Sequence, residues 1–397
     1  MIETTACIVG GGPAGMMLGW LLARAGVEVC VLEKHADFFR DFRGDTIHPS
    51  TMDLMHELGV IDAFLRVPHS KLRTLDVQIL GETVPGPDLS HLPTHEKYIA
   101  MMPQWDFLAF VREQASKLPT FRLELRAEVT ELVRDGDRIA GVKLRDGREV
   151  RARLVVGCDG RHSTVRECAA LRVRDLGAPI DVLWFRIPRD PKDAAPAFAV
   201  AEPSAFVVRL DRGDYWQCAF VIGKGGFDAL RAERIEKFRA RLRPLLPHGA
   251  DALASWDDVK LLTVTLDRLE TWAVPGLLCI GDAAHAMSPV GGVGINLAIQ
   301  DAVAAANLLW SPLLVGTPGL AELLAVQKRR ESAAARVQSL QARVHRSVLG
   351  KVVTGRAERA LRIARFVLKR VPFVRRVAAR IVAVGFTPEH VQSPAAR

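Results

Sequence analysis

The sequence predicts an α/β fold: a β-α-β unit opening a parallel sheet, a smaller β-sheet domain interleaved with it, and a helical C-terminal segment. Three observations predict this. Strand-like residues 5–9 are followed by a Gly-rich turn, an apolar helix to Ala25 and a second strand at 27–32, the order of a β-α-β unit. Residues 180–188 and 205–222 are rich in Phe, Trp and Val, as in strands. The chain from Gly294 to about Arg380 has helical composition.

The middle of the chain predicts further strands and the division into domains. Leu123 to Gly157 alternates strand-like segments with two Asp-Gly pairs, which indicates a β-meander. We therefore expect a discontinuous domain from 1–72, 101–177 and 265–340. A smaller sheet domain is expected from 73–100 and 178–264, and a basic helical segment from 341–397.

Size and composition narrow the class of protein. The 397 residues are 49% hydrophobic and 25% charged, which suits two closely joined domains. No segment reads as a secretory signal or as about twenty uninterrupted apolar residues, so we expect a cytoplasmic protein. None of the six cysteines forms a Cys-x-x-Cys pair, so we expect buried reduced thiols and no metal site.

The net charge of +9 is unevenly distributed. Residues 341–380 contain twelve Lys or Arg and one acidic residue, so this segment carries +11 and the rest about −2. A packed helical tail with a solvated basic face is one interpretation. The other is peripheral contact with an anionic membrane surface. Nucleic-acid binding is not expected, because aromatic interleaving and a binding motif are missing.

The first chemical motif is Gly10-x-Gly12-x-x-Gly15, between the first strand and the first helix. Its glycines permit a tight turn, close approach of a pyrophosphate, and close helix–strand packing. Glu33, at the end of the second strand, is placed to accept hydrogen bonds from a ribose. This pattern predicts dinucleotide binding by Gly10, Gly12, Pro13, Ala14, Gly15, Glu33 and Lys34.

The second motif separates FAD from NAD. Gly281-Asp282 follows the apolar strand 277–280, and a Gly-rich turn then precedes a helix that begins near Gly294. A carboxylate at a strand end suits a polyol chain, and a helix N-terminus stabilises the negative charge of a reduced flavin. The predicted FAD contacts here are Asp282, Gly292, Gly294, Ile295 and Asn296. His285 is expected to support the turn rather than to catalyse.

With these motifs in order, the chain resembles the FAD-dependent aromatic hydroxylase family, the class A flavoprotein monooxygenases of the para-hydroxybenzoate hydroxylase type. The family's mid-chain Asp-Gly motif matches Asp159-Gly160. Its arginine after the second strand matches Arg43, and its glutamine before a helix matches Gln104. The resemblance spans residues 10 to about 302 and implies that Arg43, Gln104 and Asp159 contact FAD.

The resemblance also implies the chemistry. NAD(P)H, which has no second glycine fingerprint here, would visit the FAD domain, with His162 and Arg166 as candidate contacts. A flavin C4a-hydroperoxide would then hydroxylate the substrate beside Pro289. His48 could line the flavin face with Ile47, or be a turn histidine before Pro49; the sequence leaves both open.

The substrate is expected to be an aromatic or polyketide-like small molecule. Trp184, Arg186 and Trp216 on the predicted second sheet are the candidate contacts, although aromatic residues at strand spacing are more often core. Trp184 and Arg186 share a face by alternation. Only two tyrosines, Tyr98 and Tyr215, are present, so no catalytic base is assigned.

Other functions on the same fold remain open. An FAD-dependent reductase or dehydrogenase, for example one acting on isoprenoid double bonds, fits the cofactor motifs equally well. A flavin halogenase is less favoured, because Trp184-Phe185-Arg186-Ile187-Pro188 only partly matches its Trp-x-Trp-x-Ile-Pro signature. A non-catalytic flavoprotein is the remaining alternative.

Overall fold

The computed structural model describes residues 1–39, 46–189, 198–246 and 249–396. The strands are β1 Ile2–Val9, β2 Val29–Glu33, β3 Thr46–Ile47, β4 Ser70–Leu72, β5 Val77–Ile79, β6 Glu82–Val84, β7 Ile99–Met101, β8 Phe121–Leu125, β9 Val129–Asp135, β10 Arg138–Leu144, β11 Glu149–Gly157, β12 Val173–Asp175, β13 Ile180–Pro188, β14 Ala199–Glu202, β15 Ala205–Asp211, β16 Tyr215–Gly223, β17 Lys260–Leu262, β18 Asp267–Leu269, β19 Ala273–Val274 and β20 Leu277–Cys279. The helices are α1 Pro13–Arg24, α2 Pro49–Glu57, α3 Ile61–Phe64, α4 Gln104–Ala115, α5 Thr164–Cys168, α6 Phe227–Arg231, α7 Ile235–Leu242, α8 Gly294–Val315, α9 Leu320–Val344, α10 Gly350–Val353, α11 Glu358–Arg370 and α12 Pro372–Ala383.

The first sheet has the order β19-β20-β11-β1-β2-β8, and its inner strands are parallel. The predicted β-α-β unit is β1-α1-β2. Helix α1 is almost fully buried and contacts α4 and α8. Gly19 lets α1 approach the sheet closely, since a Cβ there would lie 2.7 Å from Val31 Cγ2 of β2. The meander is β9-β10-β11, whereas the segment at Leu123 belongs to β8 of the parallel sheet.

The second sheet has the order β17-β13-β16-β15-β14-β5-β6. One face, here called the outer face, packs against α7 through Leu183, Phe185, Trp216 and Phe238. The opposite, inner face carries Trp184, Val208 and Ala219. Apolar side chains of α12 pack against this inner face. In a third small sheet, β7 pairs with both β3 and β4.

The C-terminal segment packs on the rest of the protein. Helix α9 runs through position 341 without interruption, so the boundary expected at 341 falls inside this helix. Beyond α12 the chain returns to the first domain, where the Ala396 N–H donates to the carbonyl of Arg24.

One helix of the described chain, Gly294–Val315, is long and apolar enough to cross a membrane by length and composition alone. The sequence analysis predicts no membrane-spanning segment. In the fold, 61% of its apolar window is buried, and the helix packs between α1 and α9. Its apolar character is therefore explained by its position in the core.

A buried ionic network joins α8, α9 and the C-terminal residues. The carboxylate of Asp301 accepts hydrogen bonds from His285 Nε2 at 2.5 Å, Arg330 Nε at 2.9 Å and the Gly281 amide at 3.1 Å. Arg330 also donates to the carbonyl of Thr387 and to Glu389. Burial alone would raise the pKa of Asp301, but the charges and hydrogen bonds of His285 and Arg330 outweigh it and lower that pKa.

We expect Arg330→Ala to destabilise the FAD-bound protein by about 3–5 kcal/mol, because it leaves buried carboxylates without their counter-charge. Urea unfolding at saturating FAD measures this. Arg362→Ala is the control, since its ion pair with Glu358 is largely exposed and is worth about 1 kcal/mol or less. Equal effects of the two substitutions would contradict the network's role.

Candidate active site

The predicted cofactor motifs meet at one edge of the first sheet. Val9 pairs with Leu32 and Gly157, and Gly157 pairs with Cys279. The carboxyl ends of β1, β2, β11 and β20 are therefore aligned. Each is followed directly or within a few residues by a predicted motif. Ligands of open parallel sheets bind at this edge.

The three glycines of the first motif have different surroundings. A Cβ on Gly10, whose φ is +108°, would lie 2.4 Å from the Cys158 carbonyl oxygen, and one on Gly15 would lie 2.0 Å from that of Gly10. A Cβ on Gly12 would meet no atom within 4 Å. Gly10 and Gly15 are thus required by the turn itself. Gly12 faces open space at the N-terminus of α1, where a pyrophosphate fits.

Pro13 and Ala14 begin α1 directly after this turn, with Gly12 as the N-cap. Glu33 ends β2, and its carboxylate accepts hydrogen bonds from the Gly11 and His35 amides at 3.0 Å each. This fixes the carboxylate beside the glycine turn, as a ribose contact requires. The adjacent Lys34 side chain is exposed.

Asp282 follows β20 in a short 3-10 turn, Gly281–Ala283. Gly281 has φ +60°, and a Cβ there would lie 3.2 Å from the Cβ atoms of both Ala14 and Ala298. This glycine lets the turn pack between α1 and α8. The Asp282 carboxylate remains partly exposed and lies 3.7 Å from Arg161, so it keeps oxygen atoms accessible to a ligand.

Helix α8 begins at Gly294, as the sequence predicts, after Gly291 and Gly292 with φ of +85° and +62°. Thr46 Oγ1 donates to the Gly292 carbonyl at 3.0 Å, and a Cβ on Gly292 would lie 2.7 Å from the same hydroxyl. Gly292, Gly294 and Ile295 are only partly buried. The N–H groups of Gly294 and Ile295 lie at the positive end of a 22-residue helix, whereas the Gly292 N–H donates to the Pro289 carbonyl.

The side chain of Asn296 makes contacts within the protein. Its Oδ1 accepts hydrogen bonds from the His48 amide and Thr51 Oγ1, and its Nδ2 donates to the Thr46 carbonyl. The side chain therefore joins α8 to residues 46–51, and it is buried. These partners use the side-chain oxygen and one of its N–H groups, so the backbone of Asn296 at the start of α8 is the part placed for the predicted cofactor contact, which stays a prediction.

The turn containing Pro289 is held by α9. Gln341 accepts from the Ser288 amide at 3.2 Å and donates to the carbonyls of Ser288 and Val290 at 2.9 Å each. Ser288 Oγ lies 2.9 Å from His345 Nε2, in a π-helical turn, His345–Leu349. Burial lowers the pKa of His345. Pro289 itself is partly exposed, between two residues whose backbone is fixed.

His48 and Ile47 are fully buried. His48 Nδ1 donates to the Val382 carbonyl at 2.6 Å, and burial lowers the pKa of His48 to about 4, which this hydrogen bond only partly opposes. Ile47 packs in the first core. Neither side chain is exposed, and His48 Nε2 has no hydrogen-bond partner among the described residues. The catalytic role of His48 and the substrate contact of Ile47 stay predictions. Through Nδ1, His48 joins α12 to α2.

Asp159 lies at the aligned strand ends, but its carboxylate accepts from Ser163 Oγ at 2.5 Å and from the Val165 amide at 3.2 Å. Burial raises the pKa of Asp159. Arg166 donates to the carbonyls of Ala283 and Arg161. These contacts hold α5 against the Asp282 turn and engage Arg166, whose contact with NAD(P)H stays a prediction. His162 is exposed.

Gln104 is the first residue of α4 and is partly buried, as a cofactor contact at a helix N-terminus requires. Arg43 lies outside the described residues. The contacts of Gln104, His162 and Arg43 with cofactors stay predictions.

The substrate candidates separate onto the two faces of the second sheet. Trp216 is buried on the outer face among Phe185 and Phe238, opposite to Trp184. This packing does not favour its substrate contact, which stays a prediction. Trp184 is on the inner face, and its Nε1 has no partner within the described chain. Arg186 is exposed, with its guanidinium 5.0 Å from the Tyr215 ring centre.

The sequence analysis did not identify Gln217. It pairs with Arg186 across β13 and β16, which places it on the inner face two positions from the partner of Trp184. Its side chain is buried, and its Nε2 has no hydrogen-bond partner among the described residues. A lone glutamine in an otherwise apolar strand was the available signal. Other buried atoms of the described chain also lack a partner, among them Trp272 Nε1 and Gln300 Nε2, but Gln217 lies on the inner face near Trp184, which makes it a candidate ligand contact.

The chain matches the family model described as FAD binding domain over residues 3–340. It is 34% identical over 391 residues to 6-methylpretetramide 4-monooxygenase of Streptomyces rimosus, covering 96% of this chain and 92% of that protein. It is 28% identical over 319 residues to rifampicin monooxygenase of Streptomyces venezuelae, covering 76% of this chain and 62% of that protein.

Solved structures agree. OxyS anhydrotetracycline hydroxylase from S. rimosus has a TM-score of 0.77 at 25% identity, covering 96% of this chain and 76% of that one. PqsL from Pseudomonas aeruginosa, a probable FAD-dependent monooxygenase, has a TM-score of 0.74 at 23% identity, covering 91% of this chain and 100% of that one, and shows the shared fold.

The fold and the aligned motifs define a flavin-dependent oxidoreductase. This chain belongs to the FAD binding domain family, among the class A flavoprotein monooxygenases. It is an FAD-dependent enzyme, and NAD(P)H is the reductant general to its family. The open space at Gly12, the accessible Asp282 carboxylate and the partly exposed N-terminus of α8 fit FAD.

We expect Gly12→Val to weaken FAD binding by roughly tenfold or more, about 1.4 kcal/mol, without unfolding the apoprotein. The φ of −77° at Gly12 suits valine, and the added atoms enter the open space. Flavin fluorescence titration and apoprotein melting measure the two effects. Gly15→Ala is the comparison, because its Cβ would overlap the Gly10 carbonyl and destabilise the fold. Unchanged FAD affinity in Gly12→Val would contradict this placement.

His48 predicts a pH dependence of stability. Its folded pKa of about 4 lies below the unfolded value, so the unfolded state binds more protons between about pH 4 and 6.5. Stability therefore falls as pH is lowered through this window, by about 2 kcal/mol from this group between pH 8 and pH 5. Urea unfolding across pH should show a smaller acid loss in His48→Gln than in wild type. His162→Gln, at an exposed site, should leave the profile unchanged.

Proposed function

We propose that this enzyme hydroxylates a polycyclic aromatic polyketide with FAD, NAD(P)H and O2, and that it acts in the cytoplasm. The observation that carries the proposal is the 34% identity to 6-methylpretetramide 4-monooxygenase, which extends over 96% of the chain. The similarity thus includes both sheets and the C-terminal helices, and is not confined to the cofactor motifs.

FAD, when bound, supplies the redox chemistry and the activation of O2. The chain holds it at the aligned strand ends. The N-terminus of α1 receives the pyrophosphate at Gly12, Glu33 contacts the adenosine ribose, and Asp282 contacts the ribityl chain. The N-terminus of α8, at Gly294 and Ile295, stabilises negative charge on the reduced ring system.

The second contribution of the chain is a fixed backbone beside the reacting ring. Gln341 and His345 hold Ser288 and Val290 on either side of Pro289. A turn fixed in this way keeps Pro289 at one position next to the ring, where bound substrate would cover its exposed side. Exclusion of water favours transfer of oxygen to the substrate over release of H2O2.

The third contribution is substrate binding on the inner face of the second sheet. Trp184 Nε1 and Gln217 Nε2 are N–H donors without described partners. An aromatic polyketide carries phenol and ketone oxygens that accept such bonds. The surrounding side chains, among them Val208 and Leu210, are apolar and suit fused rings. Arg186 is exposed on the same face, at the edge of this proposed binding surface.

The proposal is tested by NAD(P)H turnover under ¹⁸O₂ with tricyclic and tetracyclic phenolic polyketides. We expect a product heavier by one ¹⁸O atom, with the second oxygen atom in water and one NAD(P)H consumed for each product. The Trp184→Phe and Gln217→Leu variants should each raise the KM for the polyketide that is hydroxylated by roughly tenfold, equivalent to about 1.4 kcal/mol. Trp256→Phe, on the opposite side of the sheet, is the matched control.

Other outcomes identify the alternatives. A product without ¹⁸O that gains or loses two hydrogen atoms would show a reductase or dehydrogenase. A product halogenated in the presence of chloride or bromide would show a halogenase. FAD binding with no NAD(P)H oxidation under any of these conditions would show a non-catalytic flavoprotein.

A further inference from the structure

The surface around the junction of α11 and α12 combines exposed apolar side chains with unpaired positive charge. We call it the α11–α12 corner, comprising residues 359–380. Of the fourteen large hydrophobic residues exposed in the described chain, six lie between 363 and 377. They are Ile363, Phe366, Val371, Phe373, Val374 and Val377. Phe366 and Phe373 are 64% and 72% exposed.

The exposed apolar residues of α11 are not the face that packs on the protein, because another face of this helix is already packed. Leu361, Ala364 and Leu368 pack with the β5–β6 hairpin, and Arg365 and Lys369 form ion pairs with Glu82. The positions of Ile363 and Phe366 lie on another side of the helix. The corner is therefore held firmly on the second sheet while it presents a second apolar face to solvent.

The charge of the corner has one sign. Residues 359–380 contain eight Lys or Arg and no acidic residue. Within the described chain, Arg359, Arg370, Arg376 and Arg380 make no ion pair, in contrast to Arg362, Arg365 and Lys369. At 3.6 residues per turn, Arg359 and Arg370 flank Ile363 and Phe366, and Arg376 and Arg380 flank Phe373 and Val377.

We propose that the α11–α12 corner docks on an anionic lipid surface. Apolar side chains would enter the interfacial region while the neighbouring guanidinium groups contact lipid phosphates, the arrangement of helices that lie in a membrane interface. A nucleic acid would match the charge but would leave Phe366 and Phe373 in water. A neutral bilayer would match the apolar residues but not the charge.

Docking at the α11–α12 corner would bring the lipid surface close to the proposed substrate face, and this step rests on the proposed function. Helix α12 runs from the corner to Val382, whose carbonyl accepts from His48 and whose side chain packs near Trp184. Twelve helical residues span about 18 Å. The lipid surface would thus lie about one short helix from the inner face, a suitable distance for an apolar substrate to enter from the bilayer.

The test is sedimentation of the FAD-bound full chain with vesicles of phosphatidylcholine alone or mixed with phosphatidylglycerol. We expect binding to the mixed vesicles at low salt, weakening at high salt because exposed charges are screened, and little binding to phosphatidylcholine. Phe366→Ser/Phe373→Ser and Arg370→Gln/Arg376→Gln should each weaken binding by roughly tenfold or more. Leu314→Ser/Val315→Ser, at 47% and 87% exposed apolar positions in α8, is the matched control.

Flavin absorbance and melting show whether each variant is folded. No binding of wild type to phosphatidylglycerol vesicles at low salt would overturn the proposal. Vesicle binding that the Phe366→Ser/Phe373→Ser variant does not weaken would also overturn it. A third contrary outcome is that wild type does not bind vesicles but forms a dimer, seen by light scattering, that this variant abolishes. The vesicle assay does not require turnover, so its failure is distinguishable from failure of the proposed hydroxylation.

Discussion

The carboxylate of Asp301 connects the parts of the molecule on which the cofactor site depends. It binds the Gly281 amide and His285 on one side and Arg330 on the other. Through Arg330 it reaches Thr387 and Glu389 near the C-terminus. An ionised carboxylate at this depth is tolerated only when its charge is balanced and its oxygens accept hydrogen bonds. The turn before Asp282, the helix α8 and the helix α9 must therefore be in place together.

Helix α9 and the residues after it extend this dependence to the rest of the site. Gln341 and His345 hold the Pro289 turn, while Val382 binds His48 and packs near Trp184. The C-terminal region thus contacts the first domain, the Pro289 turn and the inner face of the second sheet. Although the family model ends at residue 340, the geometry of the site depends on side chains beyond it.

The local motifs could be predicted because their chemistry is local. The turn at Gly10–Gly15, the helix from Gly294 and the Asp282 turn depend on backbone conformation and on strand ends that neighbouring residues specify. The side-chain contacts that the sequence did not predict have partners far away in sequence. Asn296, Arg166 and His48 are polar residues within or beside the right motifs. Each is bound to the protein by a segment that no local pattern reveals.

Asp301 and Gln217 show the opposite case. Each is a polar residue in an apolar segment, and in the sequence such a residue is equally compatible with a solvated position. Burial turned Asp301 into the centre of an ionic network and left Gln217 Nε2 without a described partner. The sequence by itself determined the α/β class, the dinucleotide turn, the flavin segment and the basic C-terminal region, since these depend on residues close in the chain. Only the tertiary structure decided which polar side chains hold the protein together and which face a ligand, because that depends on long-range packing and the loss of water around each group.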